Sequence, residues 1–137
     1  MVMDTYHIFI IVVVAALAKG FCDGKLVAAS YGADTKSSGI VKLAKDLDEP
    51  IMGKHVILIE DIIDSGRTLS HLVKLLSQRE PASLTLCTLL DKPSRRKVDL
   101  KPDYCCFEIE DLFVVGYGLD YENFYRNVPY VFNWENK

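Results

Sequence analysis

The chain has 137 residues, 50% hydrophobic and 26% charged, which is the composition of one folded domain with a single core. Sixteen Lys and Arg against nineteen Asp and Glu give a net charge of −3, so the sequence lacks the basic footprint of a nucleic-acid-binding protein. The cysteines, at positions 22, 87, 105 and 106, form no C-x-x-C pair. We therefore expect free thiols in a reducing cytoplasm, rather than a zinc site or a disulfide framework.

A run of eleven apolar residues, Ile8 to Ala18, lies near the start of the sequence. A membrane-spanning helix needs about twenty such residues, so we expect no membrane partner. A signal peptide is the alternative, because Ala16-Leu17-Ala18 resembles a cleavage site, but the preceding residues include Asp4 and neither Lys nor Arg. The run is more typical of a strand buried on both faces in a parallel sheet, which we predict over Ile8–Val14.

Strands and helical stretches alternate along the rest of the chain. The clearest unit is a strand over His55–Ile59, a loop over Glu60–Arg67 and a helix over Thr68–Arg79, whose apolar residues recur at helical spacing. Further short strands are expected at Lys25–Ser30, Ile40–Leu43, Ser83–Leu90, Tyr104–Ile109, Phe113–Val115 and Tyr130–Trp134. This alternation predicts an α/β fold in one domain over residues 1–137, with a mostly parallel twisted sheet flanked by helices.

The unit VILIEDIIDSGRTL, residues 56–69, is the most informative part of the sequence. Ser65, Gly66, Arg67 and Thr68 lie where backbone N–H groups are free at a helix N-terminus, which suits a phosphate. Gly66 permits close approach of the backbone, and Thr68 adds a hydroxyl. The Walker pattern is absent, and one glycine with three acids does not make a dinucleotide fingerprint.

The three acids in this unit, Glu60, Asp61 and Asp64, would repel an isolated phosphate. They make chemical sense if the phosphate belongs to a larger ligand, because two adjacent carboxylates can accept hydrogen bonds from a ribose diol or act through Mg²⁺. The structural alternative is an Asp-rich turn in which Asp64 or Ser65 caps the helix.

The same unit closely resembles the phosphoribosyl-pyrophosphate (PRPP) binding motif of type I phosphoribosyltransferases. Further blocks resemble hypoxanthine-(guanine) phosphoribosyltransferases, and the DKPSRRK form is more bacterial-like than mammalian-like: SYGADTKSSG, KDLDEPIMGK, LLDKPSRRKVDLKPDY and LFVVGYGLDYENFYRNVPY. The resemblance covers about Leu26 to Tyr130. It implies a purine-salvage enzyme that converts hypoxanthine or guanine and PRPP into the nucleoside monophosphate and pyrophosphate.

The resemblance also implies roles for the acids and the phosphate loop. Glu60 and Asp61 would hold the ribose hydroxyls of PRPP, and Asp64 would face purine N7 and assist proton transfer. The 5′-phosphate would be bound by Ser65, Gly66, Arg67 and Thr68.

Pyrophosphate and magnesium are assigned by the resemblance to another set of residues. Asp120 would bind Mg²⁺ together with pyrophosphate, and Glu60 and Asp61 are further candidate ligands of the ion. Arg126 would contact pyrophosphate, as would Lys19 and Gly20.

The purine would be selected, by the same resemblance, through Lys92, which donates to a 6-oxo group and so favours hypoxanthine and guanine over adenine. Phe113 would stack on the base, Val114 would offer its backbone carbonyl, and Ile62 would line the base. From the pattern alone, Lys92 is a solvated loop lysine, and Phe113 and Val114 are core residues. Ser30 and Tyr31 would belong to a flexible loop that closes over the reacting centre and excludes water.

The N-terminal part departs from the family pattern. Leu17-Ala18-Lys19-Gly20 resembles its Leu-Lys-Gly pyrophosphate loop with an extra Ala18, and only Phe21–Lys25 follow before the next strand. A parallel crossover needs about a dozen residues or more. We therefore expect a strand and an irregular connection over Met1–Lys25, with no crossover helix and an incomplete hood. An uncovered sheet face predicts a homo-oligomer, a dimer or tetramer. Displacement of the Lys19 loop predicts catalysis weaker than in full-length relatives.

Other functions stay open at this point. One is a different base specificity, such as xanthine or a pyrimidine, and another is a catalytically weak or inactive member of the family. A third is a module that senses PRPP or nucleotides, or binds RNA as a regulator. The basic cluster Arg95–Lys97 is the sequence feature that favours RNA binding, whereas the negative net charge of the chain argues against RNA binding.

Overall fold

The computed structural model describes residues 8–17, 20–30 and 41–135, and the side chains of 45–135. Strand β1 (Ile8–Leu17) pairs antiparallel with β2 (Gly20–Ser30), and Leu17 lies opposite Gly20. Strand β3 (Val41–Lys45) pairs antiparallel with β2. The Ile and Val residues of β1 favour an extended chain. Only two residues separate β1 from β2, which allows a hairpin and excludes a crossover helix.

The second half of the sheet is parallel. Strands β4 (His55–Ile63), β5 (Ser83–Asp91) and β6 (Tyr104–Glu108) pair parallel to one another. Helix α1 (Arg67–Ser77) connects β4 to β5, and a single 3-10 turn, Pro93–Arg95, follows β5. The six strands have the order β3-β2-β1-β4-β5-β6.

The direction of the strands decides where the loops meet. Strand β1 is antiparallel to both β2 and β4, so β2, β4, β5 and β6 point the same way and β1 and β3 point the other way. The α/β fold with a parallel half is confirmed. The expected parallel pairing of the first strand is wrong, because its short connection forces a hairpin. The carboxyl ends of β2, β4, β5 and β6 therefore share one edge of the sheet.

The described core lies between α1 and one face of β4 and β5. Leu69, Leu72 and Leu76 recur at helical spacing and are all buried. They belong to one cluster with Val56 and Leu58, which alternate on β4 and point to the same face. This cluster fixes α1 against the sheet, and thereby fixes the position of its N-terminus.

The C-terminal part of the described chain is a small ribbon beside the main sheet. Strands β7 (Val114–Val115) and β8 (Phe132–Asn133) pair antiparallel. The segment between them contains several non-glycine residues with a left-handed backbone, among them Tyr117 at φ 54° and Tyr125 at φ 73°.

The element boundaries differ from expectation at three places. Strand β4 continues to Ile63 instead of ending at Ile59, so Glu60 and Asp61 lie in the strand and the loop shrinks to residues 64–66. Helix α1 covers Arg67–Ser77, slightly earlier than expected. Strand β2 begins at Gly20, so the described part of residues 1–25 forms a hairpin in place of an irregular connection. In the described ranges, α1 and the 3-10 turn are both too short to cross a membrane.

Candidate functional site

The turn after β4 leaves the N-terminus of α1 open. Gly66 is the N-cap residue with a left-handed φ of 76°, and the helix has neither a side-chain cap nor an acidic residue in its first turn. The alternative that Asp64 or Ser65 caps the helix is therefore wrong. Within the part of the chain that the structure describes, the backbone amides of residues 67–69 have no hydrogen-bond partner. This arrangement suits an anion.

A small pocket lies at this turn, at the carboxyl end of β4, where α/β proteins commonly bind ligands. Residues from between positions 60 and 69 line it. Six of them were expected from the sequence to contact substrate: Glu60, Ile62, Asp64, Ser65, Gly66 and Thr68. Arg67 is exposed and lies outside this lining.

Glu60 is the most unusual side chain of the pocket. It is only 5% exposed, and its Oε2 atom has no hydrogen-bond partner. Loss of solvation, with a smaller contribution from the neighbouring charge of Asp61, raises its pKa to about 9. The carboxyl group therefore carries its proton at neutral pH, and can both donate and accept a hydrogen bond to a ligand hydroxyl.

Asp61 follows Glu60 on β4 and lies within electrostatic range of two charged residues from far along the chain. Its Oδ1 atom accepts a hydrogen bond from the Ile62 N–H at 2.7 Å. Although the residue is exposed overall, protein atoms displace part of the water around its carboxylate and raise its pKa. Arg126 opposes this effect and Asp120 adds to it. The fold thus brings the expected diol, magnesium and pyrophosphate residues within electrostatic range of one another.

Asp120 and Arg126 are joined to each other. Arg126 Nη2 lies 2.7 Å from Asp120 Oδ1, and Arg126 Nη1 donates to the Gly118 carbonyl at 2.8 Å. Asp120 Oδ2 accepts from the Asn123 N–H at 2.8 Å. Both partners are partly exposed, so the pair can open at a cost of about 1 kcal/mol or less.

Asp64, the expected group for proton transfer, is held by Arg95. Arg95 Nε lies 2.9 Å from Asp64 Oδ1, and Arg95 Nη1 lies 3.4 Å from Asp111 Oδ2. Because Asp111 comes two residues before Phe113, Arg95 links the phosphate turn to the segment that was expected to hold the base.

Lys92 follows β5 at the same edge of the sheet. Its backbone N–H donates to the Ile63 carbonyl at 2.9 Å, which joins the beginning of the DKPSRRK loop to the end of β4. Farther along this loop, the Lys97 N–H donates to the Ser65 carbonyl at 3.0 Å. Lys92 is only 7% exposed, so its interpretation as a solvated loop lysine is wrong.

Phe113 and Val114 stand at the start of the C-terminal ribbon. Phe113 is 47% exposed, and its ring makes an edge contact with Tyr121, with the ring centroids 5.9 Å apart. The interpretation of Phe113 as a core residue is therefore wrong. The Trp134 N–H donates to the Phe113 carbonyl at 2.7 Å. Because hydrogen-bonded pairs alternate along an antiparallel ladder, the N–H and carbonyl of Val114 point away from β8.

The candidate site residues from the N-terminal part of the chain lie at opposite ends of the strands of the sheet. Gly20 lies opposite Leu17, beyond the His55 end of β4, about 20 Å along the strand from Glu60. The structure therefore does not bring Gly20 to the phosphate turn, because the hairpin reverses the chain. Ser30 ends β2 at the same edge as the pocket. Lys19 and Tyr31 lie outside the described residues.

The sequence reasoning missed Gly116, in addition to the contact of Arg95 with Asp64. A Cβ atom on Gly116, whose φ is 95°, would lie 2.0 Å from the Tyr130 carbonyl oxygen. Gly116 therefore lets the chain reverse directly after β7 and place Asp120. Its signal was the Gly-Tyr-Gly sequence, which is typical of a tight turn.

The described side chains offer oxygen ligands for a hard cation without forming a metal cage. In residues 45–135, no three His, Cys, Asp or Glu side chains converge into a metal site. Mg²⁺ is commonly held by one or two carboxylates together with substrate phosphates. Asp61 and Asp120, which lie within electrostatic range, fit that manner of binding.

The match to known families agrees with this geometry. The model of the "Phosphoribosyl transferase domain" matches residues 11–122. "Hypoxanthine-guanine phosphoribosyltransferase" of Bacillus subtilis is 58% identical over 102 residues, which are 74% of this chain and 57% of that protein. "Hypoxanthine phosphoribosyltransferase" of Salmonella typhimurium is 56% identical over 106 residues, which are 77% of this chain and 60% of that protein.

Solved structures show the same likeness. A hypoxanthine phosphoribosyltransferase of Staphylococcus aureus has a TM-score of 0.75 and 47% identity, over 79% of this chain and 59% of that chain. A hypoxanthine-guanine phosphoribosyltransferase of Bacillus anthracis, with a HEPES molecule in its active site, has a TM-score of 0.74 and 52% identity, over 79% of this chain and 64% of that chain. The chain thus spans less than two thirds of the length of these relatives.

Proposed function

Because the chain belongs to the phosphoribosyl transferase family, we propose that it transfers the phosphoribosyl group of PRPP to hypoxanthine or guanine, forming IMP or GMP and releasing pyrophosphate. One observation carries the proposal. The uncapped N-terminus of α1 shares a pocket with the unpartnered carboxyl of Glu60. A phosphate site beside a group that binds hydroxyls fits a sugar phosphate better than a free anion.

PRPP would bind along the turn between β4 and α1. The backbone amides of residues 67–69, with the hydroxyls of Ser65 and Thr68, would take the 5′-phosphate. Glu60 and Asp61 would take the ribose hydroxyls. The proton on Glu60 is useful here, because a neutral carboxyl in a buried position can donate to one hydroxyl oxygen and accept from another.

Pyrophosphate would leave on the side of Asp120 and Arg126. Arg126 would contact its oxygens through the guanidinium that now binds Asp120. Asp120, with Asp61 and Glu60, would hold Mg²⁺, for which deprotonation of Glu60 is required. When bound, the ion supplies charge neutralisation for the leaving pyrophosphate.

The purine would bind between the end of β5 and the C-terminal ribbon. Lys92 would donate to the 6-oxo group, the exposed face of Phe113 would stack on the ring, and the free carbonyl of Val114 would accept from its edge. Ile62 would close the pocket below the base. Lys92 cannot accept a hydrogen bond from the 6-amino group of adenine, so adenine would be a poor substrate.

Asp64 would accept a hydrogen bond from purine N7 and assist proton transfer as the N-glycosidic bond forms. Its ion pair with Arg95 keeps the carboxylate oriented at the mouth of the pocket. As C1′ becomes positively charged, nearby carboxylates stabilise it. Closure of the loop after Ser30 would exclude water, which otherwise hydrolyses PRPP.

A second candidate function has one observation in its favour. The hairpin places Gly20 about 20 Å from Glu60, so the expected pyrophosphate loop does not reach the pocket. A protein that binds PRPP or a nucleotide with weak turnover would have this arrangement.

We also propose a reducing, cytoplasmic location and a homo-oligomeric assembly, a dimer or tetramer. Cys87, Cys105 and Cys106 are free thiols, which suits a reducing compartment. Strand β6 is an edge strand with Tyr104 68% exposed and Phe107 61% exposed, a surface that favours association. Size-exclusion chromatography with light scattering tests the assembly, and a monomer would contradict it.

The function is tested by incubating the chain with PRPP and Mg²⁺ and, separately, hypoxanthine, guanine, xanthine or adenine, with nucleotide formation followed by chromatography. We expect IMP and GMP, and little AMP. AMP formed as fast as IMP would contradict the role of Lys92. Calorimetric binding of PRPP without nucleotide formation would favour the second candidate, and absence of both would refute the PRPP site.

A further inference from the structure

Arg96 is the more buried of the two arginines in the DKPSRRK loop. Its Nη2 atom bonds the carboxylate of Asp91, and its Nη1 atom donates to the backbone carbonyl of Asp64 at 2.7 Å. The side chains of Arg96 and Asp91 are only 14% and 8% exposed. One guanidinium thus bridges the end of β5 and the phosphate turn.

The aliphatic part of Arg96 makes a second contact with the same turn. A Cβ atom on Gly66 would lie 3.0 Å from Arg96 Cδ and 3.1 Å from Val98 Cγ2. Glycine at this position therefore serves two needs, because it adopts the φ of 76° and leaves room for the arginine. Arg96 packs against the residue whose conformation opens the N-terminus of α1.

We propose that Arg96, held by Asp91, is a positioning residue for the phosphate turn. It fixes the backbone of Asp64–Gly66, so that the free N–H groups at the N-terminus of α1 keep a constant orientation toward the phosphate. It does not touch the phosphate itself in this role. The choice of ribose 5-phosphate as the ligand in the test below rests on the proposed function. The predicted effect of Arg96 on the conformation of the turn does not depend on that function.

The geometry separates this role from the general stability that an ion pair gives. Arg79 makes a two-point ion pair with Asp46, at 2.7 and 2.9 Å, at the other end of α1. That pair joins the helix to a loop remote from the pocket. Arg96 instead bonds a main-chain carbonyl inside the turn, which determines backbone direction.

The test removes both charges of the buried pair together. The double variant Asp91→Asn/Arg96→Met avoids an unpaired buried charge, and methionine refills the space over Gly66. We expect its Kd for ribose 5-phosphate, measured by calorimetry, to rise about tenfold to a hundredfold, the effect of losing one well-directed bond to a charged group. The KM for hypoxanthine should stay close to that of the wild type. The matched control, Asp46→Asn/Arg79→Met, should bind ribose 5-phosphate normally.

A second measurement needs no ligand. The Ser70 N–H bonds the Gly66 carbonyl at 2.8 Å, and the Lys97 N–H bonds the Ser65 carbonyl at 3.0 Å. In the double variant both amides should exchange their hydrogens faster, while the Gly53 amide, bonded to the Glu80 carbonyl, should exchange as before.

The outcomes distinguish a failure of the positioning role of Arg96 from a failure of the proposed function. Unchanged exchange at Ser70 and Lys97 overturns the role of Arg96, whatever the wild type binds. Unchanged affinity for ribose 5-phosphate in a folded double variant also overturns it. A wild-type chain that binds neither ribose 5-phosphate nor PRPP refutes the proposed function, and faster exchange in the variant then still supports the structural role of Arg96.

Discussion

Two parts of the molecule meet at the pocket, and they are built differently. The phosphate side comprises residues 60–69 and the loop 91–97, and the base side comprises residues 111–135. The phosphate side rests on regular structure, because α1 packs Leu69 and Leu72 into the core. The base side consists of two-residue strands, and its candidate stacking ring, Phe113, is half exposed.

The backbone conformations show what this difference means. On the phosphate side, the one left-handed residue in the turn between β4 and α1 is Gly66, which adopts that conformation without strain. On the base side, Tyr117 and Tyr125 adopt it at a cost of about 1–2 kcal/mol each. Aromatic packing offsets this cost, since the rings of Tyr125 and Trp134 lie 4.7 Å apart. The main chain thus organises the phosphate site, and side-chain packing organises the base site.

The largest expected effect is on kcat, and it comes from Asp64, whose carboxylate is linked to the base side through Arg95. Replacement Asp64→Asn keeps the size of the side chain and its acceptor for Arg95, but removes the charge used in proton transfer. We expect kcat to fall by about 10²–10⁴-fold and PRPP affinity to change little.

The matched control is Asp111→Asn, which removes the other carboxylate that Arg95 contacts. It should leave kcat close to the wild-type value. Near-normal turnover in Asp64→Asn would show that this carboxylate takes no part in the chemical step.

The second effect tests how strongly the base side depends on its turn. In Gly116→Ala, the new methyl group would lie 2.0 Å from the Tyr130 carbonyl, in a backbone with φ 95°. We expect a loss of about 3 kcal/mol or more in the free energy of unfolding, measured in urea, from the clash and the strain together.

Gly118 provides the control for strain alone. Its φ is 100°, and a Cβ atom there would meet nothing within 4 Å. Gly118→Ala should cost about 1–2 kcal/mol. Equal losses in the two variants would mean that the clash at Gly116 relaxes freely, and that the ribbon is less constrained than the phosphate side.

The phosphate side was the more predictable of the two from sequence. An apolar strand, a small-residue turn and a helix with apolar residues at Leu69, Leu72 and Leu76 are local patterns, and the structure confirms them. Free backbone N–H groups at the helix N-terminus were predicted from the small-residue turn, whereas a cap by Asp64 or Ser65 stayed open until the structure showed Gly66 at the N-cap position. The site roles of these residues stay predictions, which the experiments above address.

What the sequence did not reveal depends on contacts between distant residues. Burial of Lys92 and the bridge from Arg96 to Asp64 require the β5 loop to fold over the turn, and no periodicity encodes that. The left-handed tyrosines contradict their own local preference, so a pattern cannot predict them. The direction of the first strand was mispredicted for a different reason, because a continuous apolar run is typical of a strand in a parallel sheet, whereas the short connection to β2 reverses the chain.

The third effect concerns the free energy of unfolding, which the buried carboxyl group of Glu60 lowers at neutral pH. Glu60 has a pKa of about 9 in the folded chain, well above its ordinary value of about 4.5. The unfolded chain therefore loses this proton at lower pH, and unfolding becomes more favourable as pH rises from about 4.5 to 9. Glu60→Gln should remove this dependence and increase the free energy of unfolding at pH 7 by about 3 kcal/mol.

Chemical denaturation at pH 5, 7 and 8.5 measures this effect in both proteins. Glu108→Gln, at an exposed position on β6, is the control and should keep the wild-type dependence. A Glu60→Gln variant whose stability falls with pH as steeply as the wild type would show that Glu60 is ionised in the folded protein.

The smallest effect probes the electrostatic link from the base side back to the phosphate side. Arg126 lowers and Asp120 raises the pKa of Asp61, while both residues belong to one partly exposed ion pair. Arg126→Met should therefore raise the pKa of the Asp61 carboxyl, and Asp120→Asn should lower it, with little change in stability because exposed pairs contribute about 1 kcal/mol or less. Carbon NMR titration of the Asp61 carboxyl measures both shifts. Shifts of opposite sign would place Asp61 in the joint field of the two residues, as a shared site for magnesium and pyrophosphate requires. No shift in either variant would mean that the base side and the phosphate side bind their parts of the substrate independently.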